Sequence, residues 1–188
     1  VLLVATSRHD LLETRPKWGE REHSRRLVLN PLSDEAATQV VGNLLGAAGL
    51  PETLIKRIVA AAEGNPLYVE QMLSMLIDSG AVSEDGSKTA LKADADIVVP
   101  PTIHALLEAR LDKLERTERA AAEPASVIGM EFPHSAVQSL APQQLRDKVG
   151  EQLQALARKH FIRPSNADGA DARYRFDHHL VRDTVYNG

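Results

Sequence analysis

Three groups of polar residues have types and spacing that suit phosphate or nucleotide chemistry, and Arg8 is the first. It directly follows the apolar run VLLVAT at 1–6. Ligands of open parallel sheets bind outside the carboxyl ends of the strands, and a guanidinium at such a place can hold a phosphate through paired hydrogen bonds. The competing interpretation is an arginine that caps its own loop, and position alone leaves both interpretations open.

The second group is the corner Gly64-Asn65-Pro66, which lies between two apolar helical runs. Gly64 can take the left-handed conformation that ends one helix, Asn65 can cap the next, and Pro66 suits the first helical position. Capping is sufficient for Gly64 and Asn65. Pro66 and Leu67 form a rigid apolar pair that could pack on a purine ring while free N–H groups lie near its phosphates, although the residues alone favour capping.

The third group lies near the end of the sequence and contains His178, His179, Arg182 and Asp183. His178 and Arg182 are four residues apart, so on a helix they share a face. A histidine there could bind a phosphate, sense pH or cap a helix. Two histidines without further ligands do not predict a metal site. The sequence contains no Walker A loop, dinucleotide fingerprint, zinc-protease motif or serine elbow, so no catalytic residue is predicted.

Composition predicts a mainly α fold. The sequence has 188 residues, of which 43% are hydrophobic but only 4% aromatic, so its cores must consist of small aliphatic side chains that suit helices. The net charge of −4 does not favour nucleic-acid binding. The absence of cysteine fits a reducing compartment, and no apolar run reaches the roughly 20 residues of a membrane span. We therefore expect a cytoplasmic protein that does not enter the membrane.

The N-terminal half predicts one buried strand and three helices. Residues 1–6 are apolar without alternation, which is typical of a strand in a parallel sheet. Because a lone strand cannot pair its backbone groups, we expect the chain to begin inside a larger α/β domain. Helices are expected at 33–48, 51–63 and 66–80, each with an apolar stripe, and Ser33 is expected to cap the first.

The C-terminal half predicts helices followed by a hairpin, which is the order of a winged helix. The polar segment 83–96 is expected to be a flexible connection or a short hairpin. Two β-prone pieces within 161–176 flank a turn at Asp168-Gly169. Pro124 is expected to kink or restart its helix. Helices are expected in four places: from Thr102, and over about 117–128, 134–140 and 143–160.

The chain is similar to the C-terminal part of a signal-transduction ATPase with numerous domains, because six of its segments follow one another in the same order. This class, called STAND, is related to AAA+ ATPases and occurs in MalT- and LuxR-type regulators and in bacterial adenylate/guanylate cyclase-like proteins. The segments that carry the resemblance are VLLVATSR at 1–8, LNPLSDEAA at 29–37, EGNPLYVEQML at 63–73, VPPTIHALLEARLDKL at 99–114, ASVIG at 125–129 and FDHHLVRDTVY at 176–186.

The resemblance implies a nucleotide-binding role for three of the places named above. Arg8 would read the γ-phosphate from the sensor strand. Gly64-Asn65-Pro66 would be the Gly-x-Pro motif, whose proline packs on adenine from the helical lid. His178 would contact the β-phosphate of ADP, although the Met-His-Asp pattern of related switch ATPases is replaced here by Asp177-His178-His179.

The resemblance also implies a domain plan with four parts: 1–30 as the end of a truncated P-loop ATPase α/β domain, 31–82 as the lid, 83–97 as a linker and 98–188 as a winged-helix-like domain. ATP or ADP with Mg²⁺ would bind in the full-length parent, whose Walker segments would precede Val1, and no nucleotide is expected on this chain alone. The implied partners are that ATPase core and a cyclase or repeat-domain output module. A hinge at the linker would transmit the nucleotide state.

Two alternatives come from other functional classes. A DNA-binding winged-helix regulator would use the helix at 143–160 for recognition, with Arg146, Lys148, Arg158 and Lys159 on phosphates. The same helix carries Asp147 and Glu151, which weakens its attraction to DNA. The other alternative is a scaffold that binds only other proteins.

Overall fold

The chain forms two compact units, residues 1–30 and residues 31–188. The computed structural model describes residues 2–7, 10–20, 23–45, 50–85, 88–91, 97–165 and 171–188. The described part of the first unit contains one short helix, α1 (Asp10–Thr14), which the sequence analysis did not predict.

The strand predicted at 1–6 is wrong for the residues that the structure describes there. Residues 2–7 have no regular secondary structure, and Leu2, Leu3 and Val4 are exposed. A strand is stabilised by hydrogen bonds to a neighbouring strand, and no described segment of the first unit pairs with this one. An apolar run therefore does not form a strand by itself.

Three helices open the second unit, and side-chain caps mark the start of the first and the third. They are α2 (Asp34–Leu45), α3 (Glu52–Ala62) and α4 (Pro66–Asp78). The Ser33 hydroxyl accepts the N–H of Ala36 at 3.2 Å, which confirms the predicted cap of α2. The buried faces of the three helices form a first hydrophobic cluster around Ile58, Val69 and Met72.

A two-stranded hairpin follows α4 within the segment predicted as a connection. Strands β1 (Val82–Asp85) and β2 (Lys88–Leu91) pair antiparallel, with Val82 opposite Leu91. The hairpin is one of the two forms that the polar composition of this segment predicted.

The described residues after the hairpin form five α-helices, one short 3₁₀ turn and a small sheet. The helices are α5 (Ile103–Leu111), α6 (Arg116–Ile128), α7 (His134–Leu140), α8 (Val149–Arg158) and α9 (His179–Asn187). Strands β3 (Glu131–Pro133), β4 (Ile162–Ser165) and β5 (Arg173–Phe176) are all antiparallel in the order β3-β5-β4. The predicted hairpin strands are thus confirmed, whereas the turn at Asp168-Gly169 lies outside the described residues.

Two helix predictions in this half need correction. Helix α6 continues through Pro124, so the predicted restart is wrong, whereas the predicted kink stays a prediction. The buried apolar face of α6, with Ala121, Ala122 and Ala125, keeps the helix in place. The helix predicted at 143–160 begins later, because Arg146–Lys148 form a separate 3₁₀ turn before α8.

Helix α5 lies between two cores. Leu106 belongs to the first hydrophobic cluster, whereas Leu107 and Leu111 belong to a second one, which also contains Phe132, Leu153 and Phe176. Ile103 packs against both clusters. The second unit is therefore mainly helical, with its three-stranded sheet at the second core. Among the described residues, no helix has the length and apolar character to cross a membrane.

Candidate functional site

The corner before α4 is shaped by a close approach of two backbone segments. Glu63 and Gly64 both have positive φ, at 48° and 75°. The N–H of Leu32 donates to the carbonyl oxygen of Gly64 at 2.9 Å. A Cβ added to Gly64 would lie 2.6 Å from the Leu32 oxygen and 2.7 Å from Pro31 Cβ. Packing against residues 31–32 therefore requires glycine at this position.

Asn65 and Pro66 start α4 as capping predicts. The Asn65 side-chain oxygen accepts the N–H of Leu67 at 3.0 Å, and Pro66 occupies the first helical turn. Capping of this helix is confirmed. Pro66 is exposed and Leu67 is half-buried, so an apolar surface is available at the helix start. Contact between this surface and a purine stays a prediction.

Tyr68 attaches α4 to the segment that leads into α5. Its ring is buried, and its hydroxyl donates to the carbonyl oxygen of Pro100. Burial raises the pKa of Tyr68 to about 12 because the phenolate would lose its hydration. The hydroxyl is therefore a neutral donor at physiological pH.

Arg110 is the most unusual residue of the second unit, because its charged side chain is only 1% exposed. Its guanidinium donates to Gln71 Oε1, to Asp78 Oδ2 at 2.9 Å and to the carbonyl oxygen of Lys159. It also lies over the ring of Phe161, 4.7 Å from the centroid. Burial lowers the pKa of Arg110, and the ion pair with Asp78 opposes that shift.

These contacts join elements that are far apart in sequence. Gln71 and Asp78 belong to α4, Arg110 to α5, and Lys159 and Phe161 to the chain between α8 and β4. We call these five residues the Arg110 cluster. It connects the first hydrophobic core to the second through polar groups.

Glu118 extends the polar contacts into α6. It is 4% exposed, and its Oε2 accepts both the backbone N–H of Glu115 at 2.8 Å and the ammonium of Lys159 at 2.7 Å. The first bond is half of a capping box at the start of α6. Lys159 thus binds Glu118 with its side chain and Arg110 with its backbone.

His178 caps α9. Its Nδ1 accepts the N–H of Leu180 at 3.2 Å, and its ring lies 4.2 Å from that of His179. The capping alternative is therefore confirmed for this histidine, whereas a phosphate contact and a pH response stay predictions. Arg182 attaches α9 to α6, since its Nε donates to the carbonyl oxygen of Ser126 at 2.9 Å.

The predicted site residues are only partly placed by the structure. Arg8 lies outside the described residues. Gly64, Asn65 and Pro66 form one corner, and their described contacts do not include His178. The structure therefore brings the corner residues together, whereas a shared nucleotide site with His178 stays a prediction.

Sequence reasoning missed the Arg110 cluster, although one signal was present. Arg110 stands in the apolar stripe of α5, between Leu107 and Leu111, and Gln71 stands beside Met72 in that of α4. A polar residue on a buried face needs a hydrogen-bonding partner. Two such residues on successive helices predict that the helices bind each other through them.

An adenine nucleotide would find only part of its expected binding groups here. The exposed Pro66 ring can cover a base, but the first free N–H group of α4 is already bound by Asn65. The space beside Gly64 is filled by residues 31–32. The corner thus has an exposed apolar surface beside an N–H group that is already bound, and contact with a nucleotide stays a prediction. Among the described residues, no group of three or more acidic or histidine side chains could hold a metal ion.

Comparison with known proteins gives one match. A family model described as a domain of unknown function, DUF8739, matches residues 33–88. The match covers α2 to α4 and the start of the hairpin, which is less than half of the chain. No curated protein and no solved structure gave a match.

Proposed function

We propose that this chain is the lid and winged-helix part of a STAND-type signal-transduction ATPase. In this proposal, residues 1–30 end the P-loop domain, α2 to α4 form the lid, and the helices and sheet after the hairpin form the winged-helix-like domain. The protein would switch between ATP and ADP states and pass the state to an output module such as a nucleotide cyclase. Without Walker motifs, the chain alone would not hydrolyse ATP.

The order of elements supports the winged-helix assignment. From α6 to β5 the chain runs helix, strand, helix, helix, strand, strand, with one short 3₁₀ turn before the third helix. The first strand, β3, pairs with the last, β5, and β5 pairs with β4. A winged helix has this order of elements and this order of strands. The sheet packs Phe132 and Phe176 against the helices.

The contacts between the motif segments carry the proposal. Gln71 of the segment 63–73 binds Arg110 of the segment 99–114. Arg182 of the segment 176–186 binds the Ser126 carbonyl of the segment 125–129. Residues that define the resemblance thus contact one another in pairs. This is expected if the segments are parts of one domain arrangement.

The proposal is tested on the protein that includes the residues encoded before Val1. We expect those residues to contain a Gly-x-x-x-x-Gly-Lys-Ser/Thr loop followed by an apolar strand that ends in acidic residues. That longer protein should bind fluorescent ADP. P66A should weaken binding by about tenfold, since alanine lacks two ring methylenes that contribute about 0.8 kcal/mol each when buried against the base.

Matched variants separate nucleotide contact from loss of folding. E70A changes another exposed residue of α4 and should leave ADP affinity unchanged. The chain 1–188 alone should show no ATP hydrolysis. An upstream sequence without a phosphate loop would refute the proposal, and so would a P66A protein that binds ADP as tightly as the parent.

The contacts of two residues that flank α8 argue against the DNA-binding alternative. The ammonium of Lys159 is bound to the buried Glu118. Arg146 donates to the carbonyl oxygens of Ser139 and Ala141. Two of the four cations expected on phosphates are therefore engaged within the protein, which reduces the electrostatic attraction on which DNA binding depends.

A further inference from the structure

Two arginines lie opposite each other on the outer face of the three-stranded sheet. Side chains of a strand alternate between the two faces of a sheet, and Phe132 and Phe176 are fully buried on the inner face. Their neighbours Glu131 and Arg175 therefore lie on the outer face. In the register of the strands, Arg175 of β5 is opposite both Glu131 of β3 and Arg163 of β4. The two guanidiniums thus belong to adjacent positions of one surface.

The contacts of Arg163 and Arg175 within the protein leave most of their donors unused. Arg163 Nε is 3.7 Å from Asp177 Oδ1, and Arg175 Nη1 is 3.7 Å from Glu131 Oε1. Hydrogen bonds between such charged groups are about 2.7–2.9 Å long. The Nε of Arg175 has no hydrogen-bond partner in the described part of the chain. Like charges directly opposite on neighbouring strands also destabilise a sheet, so this arrangement favours binding of an anion between them.

Positive charge also exceeds negative charge around Asp177, which follows β5. Burial raises the pKa of Asp177, and four basic groups around it oppose that shift, namely Arg163, His160, Arg110 and Arg175. One carboxylate does not neutralise so many basic groups. An anion that approaches this end of the sheet is therefore attracted to it.

Two facing guanidiniums suit a phosphate monoester better than a carboxylate. Each guanidinium is a planar fork whose N–H groups bind two oxygen atoms of one anion. A phosphate monoester has three terminal oxygens and a charge of about −1.5 to −2 at neutral pH, whereas a carboxylate has two oxygens and a single charge. A phosphate can therefore engage both forks at once.

The outer face is open, which indicates where such a phosphate comes from. The side chain of Arg163 is 58% exposed and that of Arg175 is 39% exposed. Sites for small molecules are clefts that enclose most of the ligand, and a sheet surface does not enclose one. A phosphate that is carried by a polypeptide gains further contacts from the residues around it.

We propose that Arg163 and Arg175 bind a phosphorylated side chain of a partner protein. Glu131 and Asp177 flank the pair and would repel a long polyanion such as duplex DNA, whereas a single phosphate reaches the arginines between them. This inference concerns the outer face of the sheet and does not depend on nucleotide binding by the corner before α4.

Nuclear magnetic resonance of the isotope-labelled chain tests this proposal, because the Nε–H groups of arginine side chains give their own signals. The probe is a short glycine peptide with one central phosphoserine, and the same peptide with serine is the reference. The signals of Arg163 and Arg175 should shift saturably with the phosphopeptide and stay unchanged with the reference. R163Q and R175Q should each weaken binding about tenfold or more, because each removes hydrogen bonds between charged groups.

R119Q is the matched control. Arg119 of α6 is also partly exposed and lies 3.7 Å from Asp112 and 3.4 Å from Glu123, so R119Q should bind the phosphopeptide like the parent. Arg163 is the more exposed of the pair, and R163Q therefore keeps the test valid if R175Q fails to fold.

Two kinds of result would overturn the proposal. One is the absence of a saturable shift with the phosphopeptide, or equal affinity of the parent and R163Q. The other is inorganic phosphate, ADP or duplex DNA that binds Arg163 and Arg175 as tightly as the phosphopeptide, since the pair would then not be a site for a phosphorylated protein.

Discussion

Replacement of Gly64 by alanine tests how closely the corner before α4 packs. The new methyl group would lie 2.6 Å from the Leu32 carbonyl oxygen and 2.9 Å from the Leu32 nitrogen. Both atoms belong to the backbone, so no side chain can rotate away. The φ of 75° is also unfavourable for a residue with a Cβ. The corner must therefore open to accept alanine.

The expected cost has three contributions. A left-handed conformation costs a non-glycine residue about 1–2 kcal/mol. Separation of the two segments breaks the bond from Leu32 to Gly64, which stabilises the fold by about 1 kcal/mol. Alanine also restricts the unfolded chain, which offsets about 0.4–1 kcal/mol of this loss of stability. We expect G64A to lower the free energy of unfolding by about 2 kcal/mol.

Urea unfolding followed by circular dichroism at 222 nm measures this change. With a slope near 2 kcal/mol per molar urea, the midpoint should fall by about 1 M. Gly42 provides the control, because it lies within α2 with nothing within 4 Å of an added Cβ. G42A should raise the free energy of unfolding by about 0.5–1 kcal/mol. If G64A matches or exceeds the parent while G42A behaves as expected, the close approach of residues 31–32 is refuted.

Three further predictions follow from other contacts. N65A should lower the free energy of unfolding by about 1 kcal/mol through loss of the α4 cap, whereas N65D should keep most of the parent's stability. Equal stability of the parent, N65A and N65D would contradict the capping geometry. Tyr68 should titrate near pH 12 by absorbance at 295 nm, and Y68F should remove that step. Because its pKa in the unfolded chain is about 10, the stability that Tyr68 contributes should be complete below pH 10 and decline as pH rises toward 12, which alkaline unfolding of Y68F against the parent measures. The chain should show no salt-dependent binding to duplex DNA by fluorescence anisotropy, since Lys159 is bound to Glu118; tight binding that weakens steeply with salt would favour the DNA-binding alternative.

The helices could be predicted where their caps are local. Ser33, Asn65 and Thr102 each accept an N–H from two or three residues ahead, so a short stretch of sequence contains the whole interaction. The apolar stripes are equally local, since they depend on a period of 3.6 residues. The sequence accordingly predicts α2, α3, α4 and α5 near their observed positions.

The elements that depend on distant partners could not be predicted in this way. Strand β3 has only three residues, and its pairing of Glu131 with Arg175 spans more than forty positions. The apolar run at 1–6 suggested a strand because its composition fits one, but strand formation needs a neighbour that composition does not provide. Arg110 is visible as a polar residue in an apolar stripe, whereas its partners Gln71 and Asp78 lie on another helix.

The bond between Tyr68 and Pro100 has a consequence for engineering and for variation in length. It closes a loop of 32 residues that contains the hairpin, so the two ends of that loop are already held together. Doubling the length of a flexible loop costs only about 0.6 kcal/mol once its ends are held. A tag, a reporter or a small foreign domain inserted between β1 and β2 should therefore leave both hydrophobic cores folded, and the hairpin is the place to attach a probe.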